Sequence, residues 1–256
     1  MKKVKLILAL PLLMLLGSCA ELLQIAQTLE TERPLSQYEV VSGLKEALKI
    51  GTDSAAGRLA LINGYYGDEL VKILLPQEAE VITKNLSKIP GGDKLVEDVI
   101  LRINRSAEDA AKEAGPIFFN AITNMTFQDA FTILKGDKHS ATQYLKDNTY
   151  QELYKLYQPK IEQSLNKEIV AGISTNQSWE TLTGKWNQLA GSLTGQIAGL
   201  KKVETKLDQY LTQKALDGLF VKLALEEEKI RTDPVARVTD ILKRVFGSKE
   251  ATGENR

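Results

Sequence analysis

Cysteine and histidine each occur only once in these 256 residues. With a single cysteine no disulfide can form within the chain. With a single histidine, His139, neither a two-histidine zinc site nor the paired Glu-x-x-His units of di-iron bundles can be built. A Ser-His-acid triad would have to use His139, which lies in a loop between Asp137 and Ser140 with nothing around it that marks a base. Excess charge is missing too: 33 basic residues face 33 acidic ones, so the chain carries no electrostatic footprint for nucleic acid. No apolar run reaches the roughly 20 residues that a spanning helix needs. A Gly-x-Ser-x-Gly elbow, a glycine-rich phosphate loop after a strand, an internal repeat and a low-complexity block are likewise absent.

What is present begins at the N-terminus. Lys2, Lys3 and Lys5 form a positive segment, and an eleven-residue apolar run follows from Leu6 to Leu16 and contains Pro11. That run is too short for a permanent anchor and suits the core of an export signal. It ends in Leu16-Gly17-Ser18-Cys19, small residues before the lone thiol. The expectation is a lipoprotein signal peptide over residues 1–18 and acylation of Cys19. Acyl chains buried at about 0.8 kcal/mol per methylene hold such a protein on a membrane. Ala20, rather than an aspartate, follows the cysteine, a pattern of an outer-membrane address in a Gram-negative envelope. Removing residues 1–18 takes away three lysines and no acid, leaving 30 basic against 33 acidic residues and a net charge of −3. A lipidated Cys19 also leaves no free thiol.

Residues 19–36 read as a tether or a short helix, with Leu22, Leu23, Ile25 and Leu29 among acids. From Ser36 the periodicity is helical. Ser36 can cap a helix whose Val40, Val41, Leu44, Leu48 and Ala55 recur at three- and four-residue steps. Gly64-Tyr65-Tyr66-Gly67 breaks it, and a further helical stretch runs from Pro76 to Ile89. Pro90-Gly91-Gly92 is the clearest loop signal. Asp93 is expected to cap a long helix with Leu95, Val99, Ile103, Ala107 and Ala110 on one face, stopped by Gly115-Pro116. Thr126 with Asp129, and Thr149 with Glu152, each have capping-box spacing, and Gly136 offers a left-handed stop to the first. Val203, Leu207, Tyr210, Leu211, Ala215, Leu219, Phe220 and Leu223 describe one long amphipathic helix. Asp233-Pro234 opens a last helix with Val235, Val238, Leu242 and Val245 as its apolar face. The expectation is an all-α fold: a single multi-helix domain of roughly eight to ten helices over residues 37–247, no sheet, and a polar, disordered tail over 248–256.

The polar candidates are few. Asn104, Arg105 and Glu108 fall within one helical turn, and Asn104 and Glu108 share a face at i,i+4. They read either as part of a polar pocket or as a network that fixes packing register. Asp129 reads best with Thr126 as a cap. Glu226, Glu227 and Glu228, followed by Lys229 and Arg231, read as ion pairs on a wetted face. An enzyme would need Glu108, Asp129, Glu227 and Arg231 to converge on one cleft. Tyr144, Tyr150, Tyr154 and Tyr157 fall partly on one face and read as core or groove lining. No metal or cofactor is called for.

Several segments together resemble a known family. Gly43-Leu44-Lys45-Glu46-Ala47-Leu48, Asn104-Arg105-Ser106-Ala107-Glu108, Met125-Thr126-Phe127-Gln128-Asp129-Ala130 and Ile133-Leu134-Lys135-Gly136 occur in order. Ala215-Leu216-Asp217-Gly218-Leu219-Phe220, Glu226-Glu227, Ile230-Arg231 and the run Asp233 to Leu242 follow. In register they look like bacterial domain-of-unknown-function family 4197, over about residues 37–247. The resemblance implies an exported, largely helical domain, often lipidated, and implies no reaction. The expected function is therefore a membrane-anchored envelope lipoprotein acting as a non-catalytic binding or structural module. Its expected partners are the membrane, through the lipid, and a protein or an apolar ligand. The alternative is an envelope enzyme using a carboxylate/Arg cluster.

Overall fold

The computed structural model describes residues 33–85, 91–128 and 130–252. Cys19 and the signal segment, most of the 19–36 stretch, Pro90, Asp129 and the last four residues lie outside the described residues. Eleven α-helices and two short 3-10 turns make up the described part, which contains no strand. The one β-type bridge, Val170 with Ile173, is isolated. The fold is all-α.

Helix α1 (Gln37–Leu59) starts where its sequence signal stands. The Ser36 hydroxyl accepts from the Glu39 amide at 3.2 Å, and the Glu39 carboxylate accepts from the Ser36 amide at 2.9 Å. Two of the helix's open donors are thereby satisfied. Its buried stripe is Val40, Leu44, Ala47, Leu48, Ala55 and Leu59. Beyond it a connection with Asn63 at φ 68° leads through an extended stretch to a 3-10 turn (Gln77–Ala79) and α2 (Glu80–Thr83). The helical reading of this region was thus too long. The run before Pro76 is an extended strap in which Val71 and Ile73 are buried while Leu70 and Leu74 are exposed.

Helix α3 (Gly92–Ala111) opens at Gly91, which has φ 68° and no side chain to offer. Asp93 sits in the first turn, where its charge favours the helix dipole, instead of capping. Helix α3 ends at Ala111, and Gly115 and Pro116 lie inside the first turn of α4 (Ala114–Asn124). Proline is tolerated there because a first-turn N–H has no intrahelical acceptor, so the expected stop is a start. Helix α5 (Ala130–Lys135) precedes Gly136, which is not left-handed. A Cβ at Gly136 would sit 2.2 Å from the Ser140 Oγ, so close approach explains the glycine.

Helix α6 (Ser140–Asn166) runs through both Thr149 and Pro159. Thr149 donates to the Leu145 carbonyl at 2.6 Å, a mid-helix bond, so Thr149 and Glu152 form no cap. Helix α7 (Thr175–Gly191) carries a capping box from Ser174 and Gln177, and α8 (Leu193–Ile197) is a single turn capped by Ser192. Helix α9 (Leu207–Thr232) is the long amphipathic helix. It packs against α1 and α6, while α3 packs against α6 and α7. Phe118 and Phe220, with ring centroids 5.4 Å apart, join α4 to α9.

The last segment splits. Pro234–Ala236 is a 3-10 turn, and Thr239 then caps α10 (Asp240–Phe246). Leu242 and Val245 are fully buried, whereas Val235 and Val238 are 85% and 65% exposed. The four-residue stripe is therefore two residues plus Phe246. Ser248 to Thr252 are not a loose tail: Ser248 is buried, and α11 (Lys249–Thr252) packs on α5.

Candidate functional site

The first polar group lies on the inward face of α3. Asn104 is fully buried, and its amide reads the backbone of Ile73 as a neighbouring strand would. Its Oδ1 accepts from the Ile73 N–H at 2.9 Å, and its Nδ2 donates to the Ile73 carbonyl at 2.7 Å. One turn on, the Glu108 Oε1 accepts from the amides of Tyr65 and Tyr66 at 3.2 and 3.1 Å. Its Oε2 accepts from Arg105 at 2.6 Å, and Arg105 also donates to the Asn63 side chain at 2.9 Å. Arg105 lies over the Tyr66 ring at 5.6 Å. The three residues therefore clamp the strap between α1 and α2 onto α3. Tyr65 completes the clamp: its hydroxyl donates to the Ala215 carbonyl of α9 at 2.7 Å, and burial first, then Tyr157 and Glu108, drive its pKa well up.

The second group ties helix ends together. Glu227 on α9 is 1% exposed, and its carboxylate caps α6. Oε1 accepts from the Ala141 amide at 3.0 Å and Oε2 from the Thr142 amide at 2.7 Å. A buried anion at a helix N-terminus is matched to the dipole and to the open N–H groups. Arg231, one turn along, donates to Glu227 at 2.8 Å and to the carbonyls of Leu134 and Ile133 at 2.8 and 3.1 Å. One ion pair thus joins the start of α6 to the end of α5. The wet-face reading of Glu227 and Arg231 is overturned, because the i,i+4 pair faces inward. Glu226 and Glu228 follow that reading: Glu226 pairs with Arg58 and Lys229, and Glu228 with Lys138 and His139.

Asn104, Arg105 and Glu108 therefore form one cluster, and Glu227 with Arg231 another. Asp129 lies outside the described residues. Each carboxylate oxygen of Glu108 and Glu227 accepts at least one N–H of the fold itself. The grooves lie elsewhere. One of about 610 Å³ follows α6 past Lys146, Tyr150 and Lys155. Another of about 610 Å³ lies between the end of α1 and α9, where Lys222 pairs with Asp68 and Arg58 with Glu226. None of the five described candidates lines either groove.

The tyrosines of α6 form a seam. Tyr144 stacks on Phe127 and donates to the Thr126 carbonyl, Tyr150 donates to Asp217, and Tyr157 is buried. Arg102 escaped notice in the sequence. It is 4% exposed and holds Asp98 at 2.6 Å and the carbonyls of Val170 and Ile173 at 2.6 and 2.7 Å. Its signal in the sequence is the three-residue step from Val99, which places it on the edge of the apolar stripe of α3. Among the described residues, no group of three or more His, Cys, Asp or Glu side chains could hold a metal ion. Nor is any helix there long and apolar enough to cross a membrane.

These observations define an all-α domain whose buried charges are spent on backbone groups of its own straps and helix ends. Residues 34–247 match the family described as Protein of unknown function (DUF4197), and the chain belongs to that family. No curated protein and no solved structure matches it.

Proposed function

We propose that the protein is a lipid-anchored component of a bacterial cell envelope, on the outer membrane, whose helical domain serves as a non-catalytic binding or structural module. The observation that carries the anchor is Leu16-Gly17-Ser18-Cys19 behind three lysines and an eleven-residue apolar run. Support for a non-catalytic domain comes from the two polar clusters, whose acceptors and donors are consumed by backbone amides and carbonyls. In the cell, Cys19→Ala abolishes labelling by a clickable palmitate and leaves the precursor unprocessed. Undiminished labelling of that variant refutes the anchor.

A further inference from the structure

The region from Gly184 to Lys206 combines two features. Leu193 and Ile197, four residues apart on α8 and so on one face, are 76% and 80% exposed. The same region holds Lys185, Lys201, Lys202 and Lys206 against Glu204 alone, in a mature chain that is otherwise acidic. All four lysines are exposed, and none pairs with a carboxylate among the described residues.

The tip that carries the two aliphatic side chains is built rather than loose. The Ser192 hydroxyl accepts from the Gly195 amide at 3.1 Å, and Gln196 donates to the Gly191 carbonyl at 2.9 Å. The Leu200 amide returns to the Gly195 carbonyl at 2.9 Å, with Gly199 turning the chain at φ 67°. The strand-like exit is stapled to α7: Trp186 donates to the Lys201 carbonyl at 2.8 Å, and the Asn187 side chain holds both backbone groups of Val203. Gly195 packs so tightly on Leu189 and Ala190 that a Cβ would not fit. The fold therefore fixes a single helical turn that presents two large apolar side chains to solvent, with the Lys202 side chain close to its start at Gly191.

We propose that this tip docks on an anionic phospholipid bilayer, with Leu193 and Ile197 entering the acyl boundary and Lys201 and Lys202 meeting the headgroups. Apolar side chains on one face flanked by lysines suit the interface of a charged membrane. The proposal rests on the lipid anchor at Cys19 for its location.

The test uses the mature protein purified with its lipid and reconstituted into vesicles. An acylated Cys19 has no free thiol, so Thr194→Cys, on the exposed side of the tip, takes a single environment-sensitive fluorophore. The expected result is a blue-shifted emission quenched by nitroxide-bearing lipids, stronger with phosphatidylglycerol than with phosphatidylcholine alone, and weakened by salt. Adding Leu193→Ser and Ile197→Ser abolishes the quenching, and a fluorophore at Leu156→Cys on α6 stays unquenched. An unquenched tip on protein that still floats with the vesicles overturns the docking and leaves the anchor standing. Quenching that persists on Cys19→Ala protein, whose mass shows no acyl chain, supports the docking without the anchor. Protein that neither floats nor quenches overturns both. A blue shift without vesicles, together with a doubled mass, assigns the tip to a second copy and overturns the proposal.

Discussion

The Asn104 carboxamide replaces a missing strand neighbour for Ile73, and Glu108 does the same for two successive amides. Removing the carboxamide by Asn104→Ala leaves the Ile73 N–H and C=O buried without partners. Each such group costs about 1–3 kcal/mol. The urea midpoint is expected to fall substantially, while Val238→Ser, at a position 65% exposed, stays within about 0.5 kcal/mol of the parent. The i,i+4 spacing that puts Asn104 and Glu108 on one face is legible in the sequence. Their partners are not, for a physical reason: they are backbone groups 31 to 43 residues away. Every residue carries such groups, so no side-chain pattern announces them. Glu227 shows the same blindness more strongly. In sequence it is the middle of three glutamates, and only the arrival of the α6 N-terminus makes it different from its neighbours.

At the scale of elements, α1, α3 and α9 are legible as helices in the sequence, whereas the joints between helices are not. Ser36 marks the start of α1 correctly because capping is a local device, which Glu39 completes as a box. Gly115-Pro116 misled because the same pair can end one helix or enter the next, and the short step between α3 and α4 decides which. The C-terminal segment misled for a related reason. Asp233-Pro234 does nucleate a turn, but Thr239 caps a second start, and Val235 and Val238 are left outside it. Helix α10 nevertheless belongs to the core. Its Val245 meets α1 where Gly43 has no side chain, and a Cβ at Gly43 would lie 2.6 Å from the nearest Val245 methyl. Truncation after Thr232 is therefore expected to lower the melting temperature sharply, and Leu242→Ala to cost about 2–5 kcal/mol. A truncated protein that melts normally would show that α10 is an appendage. Gly43→Ala is expected to destabilise as well, because the opposing Val245 is itself fully buried and has no room to retreat.

The described residues pack into one body in which several carboxylates are held by ion pairs and hydrogen bonds, and its pH dependence follows from those. At Asp109 burial pushes the carboxyl up, but hydrogen bonds from Lys167, Lys112 and Ser164 outweigh it and hold the group below its ordinary 3.8. Asp68 balances the same way, burial against its contacts with Lys222 and the Leu70 amide. Groups depressed in the folded state add stability above their unfolded pKa and lose it as the pH falls through the folded one. The acid limb of the melting curve is thus expected below about pH 4, and Asp109→Asn is expected to flatten it. On the alkaline side, buried Tyr65 and Tyr157 have raised pKa values. Their unfolded counterparts ionise first, near 10, so stability is expected to fall as the pH rises past that value. Between those limbs these groups leave the melting temperature flat.

The central claim, that the charged residues resembling an active site hold the fold together instead, is tested most directly by the denaturant stability of Glu227→Gln. Residues kept for chemistry are commonly neutral or unfavourable to stability, whereas structural ones are costly to lose. The substitution nearly preserves shape, removes the anion from the α6 N-terminus and strands the buried Arg231, and breaking such a pair costs about 3–5 kcal/mol. The account predicts a fall of that size in urea-induced unfolding. A variant as stable as the parent, or more so, would contradict it and return Glu227 to the search for chemistry.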